Sequence, residues 1–359
     1  MTPPKIHLSA LDVTRGLAAL AVTMLHVREV NWVGMRAFAA AHGFEYSPLT
    51  LLAYATLPVA WGSIGVPIFF VLSGYVIHRG SKDRLQTRLD VFQFFSRRLI
   101  RIYPVFLAAI LLTAVLDFWS GAQVAHPKLG DTSIFNAALN ALAVVGFVGS
   151  PYGSNVALWS LPLEIQSYLF YPAALAAWRK LGSTPMMLVA VALNMAGIWV
   201  HEAAGITCFL TYFASWWLGA YISDRENRAA PLRFQWRGGW LLIAAGCAAC
   251  SARYLLLAQV AWSLGFGALL EVMIRQPPSL QPSRLTRAVA FCGAFSYSLY
   301  AVHMPVAVAM NVALLNGTKQ EAITWSFVAL IPALCTAYLV YLLVERPCLN
   351  LIRHLRPVG

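Results

Sequence analysis

Long apolar stretches recur along the whole chain and alternate with short segments that hold most of its basic residues. Apolar runs of this length are typical of helices that cross a bilayer. With soft boundaries, the candidate spans are 10–27, 61–79, 103–119, 134–149, 157–178, 185–201, 206–223, 238–252, 254–274, 288–315 and 322–344. The pattern predicts an all-α, polytopic transmembrane helical bundle.

The basic residues conflict with a topology in which all eleven candidates cross the membrane. Cytoplasmic loops of membrane proteins carry an excess of Lys and Arg. The densest basic segment should therefore be cytoplasmic, and it holds Arg79, Lys82, Arg84, Arg88, Arg97, Arg98 and Arg101. The C-terminal run Arg346, Arg353 and Arg356 should be cytoplasmic too, but nine crossings between the two segments would put it outside.

The weakest candidate, 134–149, resolves this conflict if it is a re-entrant or interfacial helix. It is short and contains Asn136, Asn140 and Gly146. Ten crossings then remain, both termini are cytoplasmic, and the 28–60 loop lies outside. Apart from the tight turn at Arg253, the other basic loops also become cytoplasmic, with Arg179, Lys180, Arg225, Arg228, Arg233, Arg237, Arg275, Arg284 and Arg287.

The composition agrees with a membrane protein and argues against a nucleic-acid partner. Of 359 residues, 59% are hydrophobic and 11% are charged, and the mean hydropathy is +0.66. These values are far outside the usual globular range. The formal charge of +12 comes from basic residues between the spans. We therefore expect it to reflect topology, with membrane lipids and no nucleic acid as partners.

The chain is interpreted as a single domain, 1–359, without a metal site. No linker, repeat or low-complexity stretch is evident, and the loops are too short for a separate soluble module. Cys247 and Cys250 form a C-x-x-C within a span, but the second pair that a zinc site needs is missing. We expect the six cysteines to be packing residues.

The first span carries three ionisable residues, Asp12, Arg15 and His26. Eleven residues at about 100° each put Arg15 and His26 on one helix face, roughly 16 Å apart along the axis. Asp12 lies on the same stripe, close enough to pair with Arg15. Because ionisable groups in hydrocarbon are costly, their default interpretation is functional. The alternative for His26 is a structural histidine bonded to a neighbour.

Small and hydroxylated residues occupy the centre of the second span. Ser73 and Gly74, followed by Tyr75, either let neighbouring helices approach closely or line a narrow channel. The sequence leaves both interpretations open.

Arginines cluster just before the third span. Arg98 and Arg101 lie on one helical face, where their guanidinium forks could hold the phosphates of a cytosolic coenzyme A thioester. An ordinary positive-inside loop would look similar. No glycine-rich phosphate loop is present, which argues against an ATP-driven or Rossmann-type enzyme.

The fifth crossing opens with Trp159 and Ser160, and Glu164 follows a turn later. An ionised carboxylate at that depth needs a partner. Glu164 is therefore either the counter-ion of an arginine or a group that orients and polarises a catalytic residue. Trp159 also fits an interfacial aromatic belt.

A second intramembrane histidine occurs near the C-terminus. His303 follows Tyr297 and precedes Pro305, which we expect to break the helix. A histidine packed in a bundle is more often structural, so His303 ranks below His26 as a candidate.

Together these segments resemble the acyltransferase-3 family of membrane acyltransferases, which acylate carbohydrates and related acceptors across bacterial membranes. The resemblance covers nearly the whole chain. It rests on the pattern Asp12, Arg15, Gly16 and His26, the stretches 69–75 and 98–104, Trp159-Ser160-Leu161 with Glu164, the stretch 296–305, and Glu345-Arg346-Pro347. We interpret the last motif as architectural, with Pro347 stopping the final helix. Each motif alone is weak, but their order makes a strong signal.

The resemblance implies the same number of crossings, an acyl-CoA donor on the cytosolic side and an acceptor on the opposite side. It implies an essential histidine and arginine in the first span, which map to His26 and Arg15. It favours acetyl as the acyl group and the bacterial inner membrane as the location. Some members carry an additional C-terminal esterase-like domain, which is not expected here.

The expected function is therefore a membrane O-acyltransferase that acts on a hydroxyl of a carbohydrate or glycolipid. We expect His26 to take the proton from that hydroxyl as it attacks the acyl carbon. Asp12 or Glu164 is expected to fix the histidine tautomer. An acyl-histidine intermediate is an alternative.

The donor is expected to bind as a co-substrate, without a tightly bound cofactor. Its nucleotide end would stay near Arg98 and Arg101, while its pantetheine arm passes Arg15, Ser73 and Tyr75. The rival interpretation is a proton-coupled secondary transporter, in which the intramembrane charges form a relay. The sequence does not identify the acceptor.

Overall fold

The computed structural model describes residues 5–43, 46–124, 126–226, 236–275 and 283–354, and every element named in them is helical. The α-helices are α1 Lys5–Asn31, α2 Met35–His42, α3 Pro48–Ala55, α4 Gly65–Ser81, α5 Arg88–Gln123, α6 Ile134–Ala141, α7 Ser160–Leu181, α8 Ser183–Ala204, α9 Phe213–Glu226, α10 Trp236–Ser251, α11 Leu255–Met273, α12 Arg284–Ala294, α13 Ser296–Leu315, α14 Leu330–Val340 and α15 Arg346–His354. The all-α prediction is confirmed.

Short helical turns of other types join these helices. The 3-10 segments are Leu57–Ile64, Val156–Trp159, Phe209–Tyr212 and Ile323–Phe327, and a π-helical turn covers Tyr341–Glu345. In the described residues, seven helical stretches are long and apolar enough to cross a membrane. They are Ala10–Asn31, Pro48–Ser81, Arg88–Gln123, Ser183–Ala204, Leu255–Met273, Ser296–Leu315 and Ile323–Arg353. The protein is a multi-pass membrane protein.

The remaining predicted crossings also coincide with helices. Helix α7 has 22 residues but carries polar side chains in its first turns and basic ones in its last. Helices α9 and α10 have 14 and 16 residues. The count of ten crossings and the cytoplasmic termini stay predictions.

The helix in the segment 134–149 is too short to cross the membrane. This helix, α6, has eight residues, about 12 Å at 1.5 Å per residue, against a hydrocarbon core of about 30 Å. Arg179 Nη2, at the end of α7, donates to the carbonyl of Lys82, beyond the end of α4, at 2.8 Å. The ends of α4 and α7 therefore lie close together, in agreement with the prediction that both of their basic segments face the same side of the membrane.

Several boundaries differ from the prediction. Helix α5 begins at Arg88, before the predicted start of the third span at residue 103, and it includes Arg98 and Arg101. The expected 28–60 loop contains α2 and α3. Arg228, Arg233 and Arg356 of the predicted basic segments lie outside the described residues.

Pro305 does not break α13, contrary to expectation. A proline lacks an N–H, so the carbonyl of Ala301, four residues earlier, loses its helical donor. Asn155 Nδ2 takes that place and donates to the Ala301 carbonyl at 2.8 Å. The helix therefore continues without a buried orphan acceptor.

Pro347 does not stop the final helix either. The π-turn ends at Glu345, and Pro347 falls in the first turn of α15, where a missing N–H is tolerated. Glu345 itself is buried and accepts hydrogen bonds from Ser298 N and Oγ, at 3.3 and 2.5 Å. Its contacts at the start of α13 fit the architectural interpretation.

The described residues form two compact units. Those within 1–18, 64–99 and 160–293 make up unit 1, and those within 19–63, 100–159 and 294–359 make up unit 2. Each unit draws on separate parts of the chain. The single-domain interpretation stays a prediction.

Unit 1 depends on close approach between α4 and α9. A Cβ built on Gly74 would lie 1.7 Å from the carbonyl oxygen of Trp216, and one on Gly219 would lie 1.9 Å from that of Val71. The packing interpretation of the small residues in the second span is thus confirmed for Gly74. Gly80, in the same helix, has no atom within 4 Å of its built Cβ.

Gly74→Ala should destabilise the folded protein by about 1–3 kcal/mol, the usual cost of overpacking, because backbone atoms block the new methyl group. Gly80→Ala is the matched control and should be neutral or slightly stabilising, since Ala is the better helix former. Thermal unfolding of both variants in detergent measures the difference. Equal midpoints would contradict the close α4–α9 packing.

Candidate functional site

Two histidines from α1 and α13 meet inside unit 2. His26 Nδ1 lies 2.7 Å from His303 Nε2, and the two rings are nearly parallel, at 5° with centroids 5.0 Å apart. His303 is fully buried, whereas His26 is partly exposed. The ring of Tyr300 stands at 62° to that of His303, with centroids 5.9 Å apart.

The hydrogen bonds of His303 determine which nitrogens carry protons. His303 Nδ1 lies 3.0 Å from the carbonyl oxygen of Leu299, which can only accept, so Nδ1 is the protonated nitrogen. A second proton would make a buried imidazolium, which is costly without an acidic partner. His303 Nε2 is therefore an acceptor, and His26 Nδ1 donates to it. This leaves the lone pair of His26 on Nε2, which has no hydrogen-bond partner among the residues that the structure describes.

A second polar bond joins the same two helices. Asn311 Nδ2 donates to Asn31 Oδ1 at 3.0 Å, and both side chains are buried. His126 Nδ1 accepts from the backbone N–H of Lys128 at 3.1 Å, so His126 Nε2 donates to Asn311 Oδ1, also at 3.1 Å. Helices α1 and α13 are thus held at two points.

The hydrogen bonds of His126 require a neutral imidazole, with Nδ1 unprotonated. Burial lowers the pKa of its imidazole from the ordinary value, and the hydrogen bond to Asn311 opposes the change. The positive charges of Lys128 and Lys319 lower the pKa further. Protonation would place a second donor against the Lys128 N–H and break the bond there.

In unit 1, Glu164 is the centre of a second polar cluster. Its Oε1 accepts from Ser73 Oγ at 3.1 Å and from the hydroxyl of Tyr168, and that hydroxyl lies 3.2 Å from Ser73 Oγ. The guanidinium carbon of Arg98 lies 5.8 Å from the Tyr168 ring centroid, within the range of a cation–π contact. The structure thus brings together three predicted site residues, Ser73, Glu164 and Arg98.

His303 is the hydrogen-bond partner of His26 Nδ1, and a role for Asp12 or Glu164 in fixing the tautomer of His26 stays a prediction. Asp12 pairs with Arg15, with Oδ1 and Nη1 3.5 Å apart, as their spacing predicted. The sequence pointed to His303 but ranked it as structural, because it cannot show which helices face one another.

Tyr75 and Arg101 have other surroundings. The Tyr75 hydroxyl donates to Glu226 Oε2 at 2.9 Å, and Arg79 Nε is 3.0 Å from the same oxygen, so Tyr75 belongs to an ion cluster. Arg101 is partly exposed and has no hydrogen bond or ion pair with any residue that the structure describes. It is available for an anionic ligand.

The supporting candidates lie at helix starts. Trp159 ends the 3-10 turn and Ser160 begins α7, as the motif predicted. The Tyr297 hydroxyl donates to the carbonyl of Ile102 at 3.1 Å, which ties the start of α13 to α5. Among the described residues, no three His, Cys, Asp or Glu side chains come together to hold a metal ion.

Sequence reasoning missed the polar residues that hold the histidine pair. Asn31, Asn311 and Asn155 are buried within or beside apolar helices, and each bonds another element. Buried amides in membrane spans were the available signal, because such groups need partners there.

The fold defines a multi-pass membrane protein, and its histidine pair leaves Nε2 of His26 without a hydrogen-bond partner among the described residues. A family model described as an acyltransferase domain, Acyl_transf_3, matches residues 8–342, and the chain belongs to this family. The resemblance seen in the sequence is confirmed, and the protein is a membrane acyltransferase.

Curated relatives agree with this class. Acyltransferase MdmB of Streptomyces mycarofaciens is 26% identical over 393 residues, covering 100% of this chain and 96% of that protein. Peptidoglycan O-acetyltransferase OatA of Listeria monocytogenes is 28% identical over 182 residues, which cover 46% of this chain and 28% of OatA. The O-acetyl transferase of Shigella phage Sf6 is 28% identical over 41% of this chain and 49% of its own length. No solved structure matches the chain.

His303→Leu should lower the rate of acyl transfer by about 10²-fold or more, because His26 Nδ1 loses the hydrogen-bond acceptor that fixes its tautomer. His303→Gln should keep most of the activity, since its amide oxygen can accept from His26 Nδ1. Transferase assays on both variants, with thermal unfolding to verify folding, measure the effect. Full activity of folded His303→Leu would contradict the orienting role.

Proposed function

We propose that the protein is an O-acyltransferase, acetyl being the first candidate, that uses cytosolic acyl-CoA to acylate a hydroxyl of a carbohydrate or glycolipid. The acceptor would lie on the outer side of a bacterial inner membrane. The observation that carries the proposal is Nε2 of His26, which has no hydrogen-bond partner among the described residues and is left as the acceptor nitrogen by the bond from Nδ1 to His303.

In the proposed reaction His26 acts as general base and then as general acid. Its Nε2 takes the proton from the acceptor hydroxyl while the oxygen forms a bond to the acyl carbon. When the tetrahedral intermediate collapses, the carbon–sulfur bond breaks and the sulfur of coenzyme A leaves with the proton from His26. The products are an ester and free coenzyme A, and the base is regenerated.

His303 supports this proton transfer without taking part in bond formation. While His26 holds the proton, its Nδ1–H bears part of a positive charge, and hydrogen bonds from charged donors are stronger than neutral ones. The bond to His303 Nε2 therefore favours the state in which the hydroxyl has been deprotonated. The Leu299 carbonyl holds the proton of His303 on Nδ1, so Nε2 of His303 stays available to accept the hydrogen bond from His26.

Arg98 and Arg101 are the proposed contacts for the phosphates of the donor. They lie three residues apart in α5, on one helical face. Arg101 is free of ion pairs with the described residues, and Arg98 stacks near Tyr168 beside the Glu164 cluster. Arginine forks match phosphate oxygens in two-point contacts.

The relatives support a carbohydrate as the acceptor. Two of the three described above are named as O-acetyltransferases, one of them for peptidoglycan. Peptidoglycan is a carbohydrate polymer outside the cytoplasmic membrane, so a sugar hydroxyl is the proposed acceptor here. Family membership disfavours the secondary-transporter alternative.

His26→Ala should reduce acyl transfer by about 10²–10⁴-fold, the usual contribution of a general base. His201→Ala is the control, because His201 hydrogen-bonds Thr207 near the end of α8 and has no part in the pair. Mass spectrometry of envelope glycans from cells with each variant detects the added acyl mass. Unchanged acylation by His26→Ala would remove the mechanism.

The double variant Arg98→Ala with Arg101→Ala should raise the KM for acyl-CoA about tenfold or more for each lost charged hydrogen bond. Arg84→Ala with Arg88→Ala removes the same charge from neighbouring residues and should leave KM nearly unchanged. An acyl-pantetheine donor, which lacks the nucleotide phosphates, should not distinguish the two double variants. Equal KM values for acyl-CoA would refute the phosphate contacts.

A further inference from the structure

Arg28 is a buried cation that the proposed reaction does not use. Its side chain is 5% exposed, and its guanidinium lies over the ring of Trp32, with Cζ 4.3 Å from the ring centroid. Nη1 donates to the carbonyl of Thr56 at 3.1 Å. The other two nitrogens, Nε and Nη2, are buried and have no hydrogen-bond partner among the described residues.

The two unpaired nitrogens are the ones that form a fork. In a guanidinium, Nε–H and the nearer N–H of Nη2 lie on the same edge and point in parallel. This edge matches the spacing of two oxygens of a phosphate or carboxylate and binds them in a two-point contact. Since Nη1 is anchored on Thr56 and Trp32 covers one face, the fork of Arg28 has a defined direction.

No acidic side chain neutralises this charge in the described part of the chain. The adjacent acid, Glu29, is 2.6 Å from Lys128 Nζ and is engaged there. Buried arginines elsewhere in the protein do have acidic partners, such as Arg225, 3.4 Å from Glu271. A buried charge without a partner is strongly unfavourable, so the fork of Arg28 calls for an anion.

The surroundings of Arg28 favour a lipid as the carrier of that anion. Arg28 lies one turn before the end of a membrane-spanning helix, where lipid headgroups are found. Thr56, its anchor, follows α3, whose Leu49, Leu51 and Leu52 are exposed. A hydrocarbon chain could lie along these leucines while its headgroup reaches the fork.

We propose that Arg28 binds the phosphate of an anionic lipid, through Nε and Nη2. The lipid is either a membrane phospholipid or a polyprenyl phosphate of the kind that carries sugars, and the two share the same phosphate chemistry. The proposal is independent of the acyl-transfer reaction. The fork is covered by protein in the structure, so binding requires the covering side chains to move aside.

Thermal unfolding in detergent with added lipid tests the proposal. Phosphatidic acid should raise the midpoint of the wild type above the value reached with phosphatidylcholine, and Arg28→Gln should abolish this extra shift. Arg28→Lys, which keeps the charge but loses the fork, should keep only part of it. Arg36→Gln is the control, since Arg36 is an exposed arginine in α2 of the same unit.

Three outcomes would overturn the proposal. In the first, phosphatidic acid raises the midpoint of Arg28→Gln as much as that of the wild type. In the second, Arg36→Gln loses the extra shift as completely as Arg28→Gln does. In the third, inorganic phosphate alone produces the full shift in the wild type. If polyprenyl phosphate raises the midpoint more than phosphatidic acid does, the bound lipid is the sugar-carrying polyprenyl phosphate. If the two lipids raise it equally, the bound lipid is a membrane phospholipid.

Arg28→Gln should itself fold, because glutamine removes an unpaired buried charge and keeps a polar side chain at this position. Without added lipid, its unfolding midpoint should match or exceed that of the wild type. A large loss of stability in lipid-free detergent would instead indicate that Arg28 is a structural residue, and would contradict the proposal. If Arg28→Gln does not fold, Arg28→Lys takes its place in the test, and an unreduced lipid shift in Arg28→Lys would contradict the proposal.

Discussion

The bond between His26 and His303 depends on a single carbonyl oxygen, that of Leu299. Because this oxygen can only accept, it determines the proton position on His303, and His303 in turn determines the proton position on His26. This chain of bonds leaves one lone pair on His26, at Nε2. A partly exposed nitrogen base inside an apolar bundle is a direct consequence of helix α13 being fixed in place.

Helix α13 is fixed because its buried polar groups all have partners. Of the candidate membrane spans, it is the one with the largest buried share, 83%. Glu345 bonds its first turn, Asn155 takes the carbonyl that Pro305 leaves unpaired, and Asn311 bonds Asn31 of α1. In hydrocarbon, unpaired groups of this kind would be costly, so each bond also restricts where the helix can lie.

Several charged groups of the protein are paired near helix ends, as Arg225 is with Glu271 and Lys82 is with Asp224, and these pairs stabilise the folded unit. Arg28 and Arg101 have no acidic partner in the described part of the chain. Arg28 differs from Arg225 in being buried without an acidic partner among the described residues.

Hydropathy and charge by themselves determined the helical class and the positions of most spans, because these properties depend on local composition. They also singled out 134–149 as the weakest span, and the helix found there is short. They also singled out His26, Arg15 and Glu164 as costly groups in hydrocarbon. Tertiary structure alone decided that His303, 277 residues away, orients His26. It also decided that Glu164 bonds Ser73 and Tyr168. Which helix faces meet is set by long-range packing, and no local pattern in the sequence contains that information.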